Sequence, residues 1–371
     1  MSIVNLEKEI SENAAVVSTQ SYSMSVGEII RMYIDKEIDL HPEYQRFFRW
    51  TPEQKSRLIE SFLLGIPIPP IFVSEKNDSK WDVIDGLQRL STILELVGEL
   101  RDENGNLKAP LILDKTRYLP NLEGKQWKSD NQDQELSESV RIRIKRTRLD
   151  ANIVKSTSDD IAKYEIFQRL NSGGTHATEQ EIRNCILIMT NRNFYEWLRS
   201  LSEYENFRAC LNITDRAIEE AFDTELVVRF IVLSTIKENK LRSINELGEF
   251  LTAELIKYAT NEKFNKETVG DAFKKTFDFL ADSLSENSFR RYNGIQKRYM
   301  GSMLISLFEV VAIGFGYSII NNKELPTKES FLSKHRLLWE DKSLSFFVGP
   351  GKSASARIPK TIAYGRGWFD K

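Results

Sequence analysis

Before about residue 155, hydrophobic residues occur in short, mixed runs. After it they keep helical spacing almost throughout. Residues 1–20 read as a loose polar arm. Ser25 and Glu28 have capping-box spacing ahead of Ile29, Ile30, Tyr33 and Ile34, which share one helical face. Ile38 to Leu40 is a short extended segment. Thr51-Pro52-Glu53-Gln54 supplies a cap, a proline at the first helical position and a glutamine at the third. The predicted helix carries Leu58, Ile59, Phe62 and Leu63 and stops at Gly65. Pro67, Pro69 and Pro70 exclude helix and lead into a strand at Ile71-Phe72-Val73. Trp81-Asp82-Val83-Ile84 predicts the next strand, Asp85-Gly86 a turn, and residues 88–96 a helix with Leu90, Ile93, Leu94 and Val97 inward. Residues 99–140 are loop-rich, with Asn104-Gly105 as a hairpin turn. Arg141-Ile142-Arg143-Ile144 alternates as a strand with one basic face would.

Thr157 and Asp160 suit the start of a helix bearing Ile161, Tyr164, Phe167 and Leu170, ended by Asn171-Ser172-Gly173-Gly174. Thr178 and Glu181 form a second capping box. Helical spacing then covers 179–190, 192–201, 216–237, 244–258, 265–282 and 296–319. The expected fold class is α+β. An arm at 1–20 precedes an α/β domain at 21–155 and an all-helical domain at 156–371.

Composition narrows the function classes. The chain has 371 residues, with 52 Lys+Arg against 54 Asp+Glu and a net charge of −2. Its hydrophobic content of 41% excludes a mostly disordered chain. The near-zero charge argues against a wholly basic nucleic-acid coat and leaves room for a local patch. Two cysteines build no disulfide framework, and three histidines (His41, His176 and His335) offer little to a metal centre. The polar stretch Met1 to Gln20 shows no signal peptide. The most apolar window, Ser302 to Ile320, carries Glu309 at its middle, which reads as a buried helix rather than a membrane span. A soluble, cytoplasmic protein with no membrane partner is expected.

Three polar clusters stand at predicted turns. Asp85-Gly86-Leu87-Gln88-Arg89 joins a strand to a helix. The glycine permits close approach, the helix start offers N–H groups to an anion, and Arg89 adds a planar fork. Asp85 suits Mg²⁺ or a water, and Gln88 suits orienting that water. The same residues also fit a tight turn closed by an Arg–Asp pair. Tyr44-Gln45-Arg46, with Arg49 and Trp50, sets arginines beside aromatic rings, as phosphate and base recognition would. Phe47, Phe48 and Trp50 equally suit core anchors. The stretch Phe167 to Thr175, followed by Glu179 to Asn184, places a Gly-Gly turn between helices. There Asn171 and Thr175 suit a ribose or phosphate, and Asn171, Gly173 and Gly174 are nucleotide-contact candidates, against the alternative of an ordinary capped turn.

Two basic stretches are DNA-footprint candidates: Arg141, Arg143, Lys145, Arg146 and Arg148, and then Arg290, Arg291, Lys297 and Arg298. The alternative for each is a solvated face. Gly349-Pro350-Gly351-Lys352-Ser353 ends like a phosphate-binding loop, but Phe346 stands where that motif needs glycine. Cys185 lies among Ile182 and Ile186 and is expected to be buried rather than nucleophilic.

The ordered blocks Tyr44-Gln45-Arg46, Leu58 to Phe72 and Val83 to Thr92 resemble the N-terminal domain of GmrSD-type restriction endonucleases. Phe167 to Gly174 with Glu181 to Asn184 is similar to that family's second block. The resemblance implies a ParB/sulfiredoxin-like fold and NTP binding, often with hydrolysis, used against foreign or modified DNA. The family's Asp-Gly-Gln-Gln-Arg signature falls on Asp85, Gly86, Gln88 and Arg89, with Leu87 at its third position. If the family's glutamine side chain serves hydrolysis there, turnover suffers. If it faces the core, Leu87 is harmless.

The expected site is therefore catalytic at Asp85, Gln88 and Arg89. Nucleotide contacts are expected from Tyr44, Gln45, Arg46, Gly86, Ser91, Thr92, Asn171, Gly173 and Gly174. An NTP with Mg²⁺ is the expected ligand, its base unspecified. No His-Asn-His nuclease cluster is evident, so the expected role is a sensor or regulatory component. Its expected partners are DNA and a separately encoded nuclease, with a homo-oligomer left open. The second reading is a non-catalytic ParB-like DNA- or protein-binding adaptor. A self-contained nuclease is not expected.

Overall fold

In the computed structural model, Ser25 ends an extended run and starts a helix. Its hydroxyl accepts from the Glu28 amide at 3.1 Å. The Glu28 carboxylate takes the Tyr22 hydroxyl at 2.7 Å rather than closing the second half of a capping box. The structure describes residues 6–8, 19–40, 50–102, 104–155, 178–338, 340–341 and 354–368. The chain divides into two units, Met1–Ala177 and Thr178–Lys371.

The first unit holds strands β1 (Thr19–Ser25), β2 (Ile38–Asp39), β3 (Ile71–Glu75), β4 (Trp81–Asp85) and β5 (Arg148–Val154). Its main helices are α1 (Val26–Ile34), α2 (Pro52–Leu64), α3 (Leu87–Val97) and α4 (Glu138–Arg146). The five strands form one mixed sheet in the order β1-β5-β3-β4-β2. β5 is antiparallel to β1 and parallel to β3, and β4 is antiparallel to β3 and parallel to β2. Ile71, Val73, Val83, Leu149, Ala151 and Ile153 from the sheet and Ile59, Phe62, Leu90, Ile93 and Leu94 from the helices are buried. Burying such apolar surface is the main stabilising term.

Several local signals act as the sequence predicts. Thr51 and Gln54 make a complete capping box, Pro52 opens α2, and Gly65 ends it in the left-handed conformation at φ 72°. α3 runs one residue beyond the predicted helix at each end.

Two elements differ. The run Arg141 to Ile144 is helix α4, not a strand. Val140 and Ile144, four apart, turn inward to half-buried and buried positions, while Ile142 is 39% exposed. Helical spacing thus overrides the local alternation. The strand itself lies just beyond, at β5. The N-terminal arm gives way to β1 from Thr19, a mostly exposed strand whose hydrogen bonds to β5 hold it.

The second unit holds α5 (Glu179–Ser202), α6 (Glu205–Cys210), α7 (Asp215–Glu219), α8 (Phe222–Thr235), α9 (Glu238–Leu241), α10 (Leu247–Thr260) and α11 (Lys266–Ser283). A hairpin of β6 (Arg291–Asn293) and β7 (Arg298–Met300) follows. α12 (Ile305–Val310), α13 (Ala312–Ile320), α14 (Lys328–Leu337) and α15 (Ala354–Trp368) complete it. Thr178 and Glu181 form the expected capping box, and α5 is interrupted at Asn191, whose backbone is non-helical. The sequence patterns 179–190 and 192–201 meet at that point.

The predicted helix 216–237 is two helices, parted by Ala221 at φ 59°. The predicted helix 296–319 begins instead as hairpin, and the expectation of an all-helical domain at 156–371 is corrected there. Asn293 Oδ1 accepts from the Ile295 and Gln296 amides at 3.0 Å each, which turns the chain back on itself. Glu309, at the middle of the apolar window, is fully buried and bonded to Arg357. Among the described residues, no helix is long and apolar enough to cross a membrane. Cys185 is buried, as expected.

Candidate functional site: the β4–α3 turn

The turn is shaped by the strands beneath it. β4 pairs Val83 with Val73 but Asp85 with Phe72, so the register slips by one residue at Ile84. Such a bulge bends a strand and re-aims the residue that follows, here Asp85. Gly86 then sits at φ 96°, and a β-carbon there would collide with the Ile71 side chain. Glycine is required twice over, for the backbone angle and for the space. α3 starts at Leu87, and Gly86 provides no side-chain cap. The first amides of α3 therefore meet no capping oxygen from that residue, and the positive end of the helix dipole lies at the turn.

Arg89 crosses back over this turn. Its Nη2 donates to Asp85 Oδ2 at 2.8 Å. Its Nη1 donates to the Pro70 carbonyl at 3.2 Å and also to the Pro69 carbonyl. The residue is 9% exposed. Burial pulls the guanidinium's pKa down from its ordinary value, and the Asp85 carboxylate opposes that shift. Arg89 thus ties three segments together: the end of β4, the first turn of α3 and the proline linker into β3. Prolines lack an N–H, but their carbonyls still need donors.

Gln88 Oε1 accepts from the Trp50 amide at 3.0 Å, which fastens the start of α2 to the turn. The Gln88 carbonyl accepts from Thr92 Oγ1 at 2.7 Å. Ser91 Oγ is buried and has no hydrogen-bond partner among the described residues. Leu87 is 7% exposed, so it is a core residue and leaves no polar gap at the turn. Lys55 of α2 and Glu95 of α3 pair at 2.6 Å behind the site.

Asp85, Gly86, Gln88, Arg89, Ser91 and Thr92 therefore meet within one strand–turn–helix unit. Tyr44, Gln45, Arg46, Arg49, Asn171, Gly173, Gly174, Thr175 and His176, and the loop Gly349 to Ser353, lie outside the described residues. The linker carbonyls of Pro69 and Pro70 were not site candidates from the sequence. The available signal was a run of prolines with no strand partner to take up their acceptors.

The first basic stretch divides. Arg141 is engaged by the Trp127 carbonyl at 3.0 Å and by the Glu135 carboxylate, and that bond holds the Glu135 carboxyl below the usual range. Arg143, Lys145 and Arg146 are exposed on α4 and Arg148 at the start of β5. Lys145 Nζ lies 5.8 Å from the centre of the Trp127 ring. In the second stretch, Arg290 donates through Nε to the Gly301 carbonyl at 2.8 Å, while Arg291, Lys297 and Arg298 are exposed. Among the described residues, no group of three or more His, Cys, Asp or Glu side chains is placed to hold a metal ion.

A mixed sheet whose bulged strand runs through a glycine turn into an uncapped helix places free backbone amides at the turn, an arrangement suited to an anion. Residues 26–188 match the family model described as GmrSD restriction endonuclease, N-terminal domain, and the resemblance read from the sequence is supported over that stretch. The match takes in the whole β4–α3 turn and reaches the first half of α5. Neither a curated protein nor a solved structure gives a match.

Proposed function

We propose that the chain is the nucleotide-responsive component of a restriction system that acts on foreign or modified DNA, with an NTP bound at the β4–α3 turn. The observation that carries this reading is the uncapped start of α3 beside Asp85 and Gly86, inside the stretch that matches the GmrSD family model. The first-turn amides and the helix dipole suit phosphate oxygens. Asp85, whose side chain is 31% exposed, keeps an edge toward solvent. One carboxylate is a sparse donor set, so a Mg²⁺ ion arriving with the nucleotide would be held mainly by its phosphates and water. In this reading Gln88 and Arg89 hold the turn in shape, and the ParB/sulfiredoxin-like architecture implied by the sequence belongs to the same proposal. Cleavage of DNA falls to a separate nuclease.

The adaptor reading has an observation of its own. The Arg89 fork is committed to Asp85 and to linker carbonyls, which leaves a phosphate to compete for it. Binding and phosphate release separate the two. Titration of each of the four NTPs with Mg²⁺ is expected to give saturable binding, and Asp85→Asn is expected to slow phosphate release more than it weakens binding. Binding without release favours the adaptor, and absence of binding by all four NTPs refutes the nucleotide reading.

A further inference from the structure

The hairpin β6–β7 serves no purpose in the nucleotide reading, and its construction is specific. From Asn287 to Phe308 the sequence contains no acidic residue. Its neck is closed by Arg290, whose Nε donates to the Gly301 carbonyl at 2.8 Å, and by the Leu304 amide, which donates to the Phe289 carbonyl at 2.8 Å. Phe289 is fully buried beneath it.

The register pairs Arg291 with Met300, Tyr292 with Tyr299 and Asn293 with Arg298. Side chains alternate across a ribbon, so the two tyrosines share one face and Arg291, Asn293, Arg298 and Met300 share the other. The tyrosine face is docked. The two rings meet edge to face at 5.1 Å, Tyr299 Oη lies 3.4 Å from His335 Nδ1, and the Arg336 guanidinium lies 5.6 Å from the Tyr292 ring centre. The opposite face carries the exposed arginines.

At the tip, Ile295 is 95% exposed, the most exposed large apolar side chain among the described residues. Lys297 beside it is exposed and Gln296 orients the Arg298 fork, accepting from Nε at 3.0 Å.

We propose that this hairpin is a duplex-DNA ribbon, with Arg291, Lys297 and Arg298 on phosphates and Ile295 set against base edges at its tip. Arg291 and Arg298 are diagonal neighbours across the ribbon, about 7–8 Å apart, a spacing of the order of that between neighbouring phosphates on one strand. A two-stranded ribbon fits the major groove, about 12 Å wide, and an apolar tip meets thymine methyl groups or a base step there. An anionic membrane is the other polyanion available. One isoleucine buries too little apolar area to insert stably, and the uniform charge over a narrow finger favours a groove. The inference stands apart from the NTP site, so loss of one leaves the other intact.

The test uses the full chain and a fluorescein-labelled duplex of about 20 base pairs, followed by anisotropy from about 50 to 200 mM salt. The triple variant Arg291→Ala, Lys297→Ala, Arg298→Ala is expected to lower the slope of log K against log salt by about 2–3 and to weaken low-salt binding about tenfold or more. Ile295→Ser is expected to weaken binding several-fold at an unchanged slope. Lys297→Glu alone is the second charge variant, with thermal unfolding as a fold control for all of them. Three results would overturn the proposal: a wild type that binds phosphatidylserine vesicles but no duplex, a triple variant with the wild-type slope, or an Ile295→Ser variant that binds as tightly as wild type.

Discussion

Arg357 reaches Glu309 with two donors along one edge of its guanidinium. Nε donates to Oε2 at 3.0 Å and Nη2 donates to Oε1 at 2.8 Å. Thr361 Oγ1 adds a third bond at 2.7 Å, and Arg229 Nη1 stands 3.7 Å away. Glu309 has no exposed surface, so its charge depends on these groups. The bidentate pair joins α12 to α15. A buried pair loses far more when one partner is removed than it contributes over an apolar substitute, because the remaining charge is stranded. Arg357→Ala is therefore expected to cost about 3–5 kcal/mol. Glu309→Leu, Arg357→Leu together should cost less than the single change. Urea unfolding monitored by circular dichroism measures both. A single variant as stable as wild type would contradict this account of the core.

Gly86 and Gly105 separate two effects that glycine combines. Both have positive φ, at 96° and 81°. A β-carbon at Gly105 meets nothing within 4 Å, whereas at Gly86 it meets Ile71. Gly105→Ala should cost about 1 kcal/mol from backbone strain alone. Gly86→Ala should cost at least about 1 kcal/mol more, from overpacking. Melting temperatures of the two variants give the comparison, and equal losses would mean that Ile71 moves aside freely.

Arg89 is a fastener that lysine cannot replace. Arg89→Lys keeps the charge but loses the fork that spans Asp85 and the proline carbonyls. Both Arg89→Ala and Arg89→Lys are expected to destabilise the first unit by about 2–3 kcal/mol, because buried acceptors lose their donor. Differential scanning calorimetry reads the effect. Full stability of the lysine variant would show that charge alone holds the turn.

His335 gives the second unit a dependence on acidity. Its imidazole is fully buried, with Nε2 3.0 Å from the Ser288 carbonyl and Nδ1 3.4 Å from the Tyr299 hydroxyl. The neutral ring donates through Nε2 and accepts through Nδ1. Burial pushes its pKa down to about 4, with the Ser288 carbonyl opposing and Arg336 assisting. The folded state takes up a proton only near pH 4, while the unfolded state takes it up near the ordinary histidine value of 6.5. The stabilisation is complete above pH 6.5 and is lost as pH falls from there toward 4, by up to about 3 kcal/mol. His335→Gln should flatten that part of the stability–pH curve. Chemical unfolding at a series of pH values compares the two slopes, and identical slopes would exclude His335 as their source.

What the sequence made legible was chiefly short-range chemistry. The cap at Thr51, the left-handed stop at Gly65, the box at Thr178 and the break near Asn191 depend on a few neighbouring residues, and each appears in the structure. The β4–α3 turn was legible for the same reason. What escaped depends on partners far along the chain. β1 is polar, and its strand character comes from its pairing with β5. Arg141 to Ile144 has strand-like alternation, but Val140 and Ile144 fold inward as a helix. The Arg89 grip on Pro69 and Pro70 joins positions that no local pattern links. In the 296–319 pattern, an apolar run masked a hairpin whose turn is set by one asparagine side chain.

The strand order has a consequence for synthesis on the ribosome. β5 lies between β1 and β3, yet it is the last strand of its sheet to be translated. Until Val154 has left the exit tunnel, β1 has no neighbour and β3 has an open edge, because residues 148–154 satisfy both. The nascent domain must carry those exposed edges through the whole loop-rich segment between α3 and α4. A chain that stalls there presents unpaired strand edges to its surroundings, the form of a β-sheet most prone to joining the wrong partner.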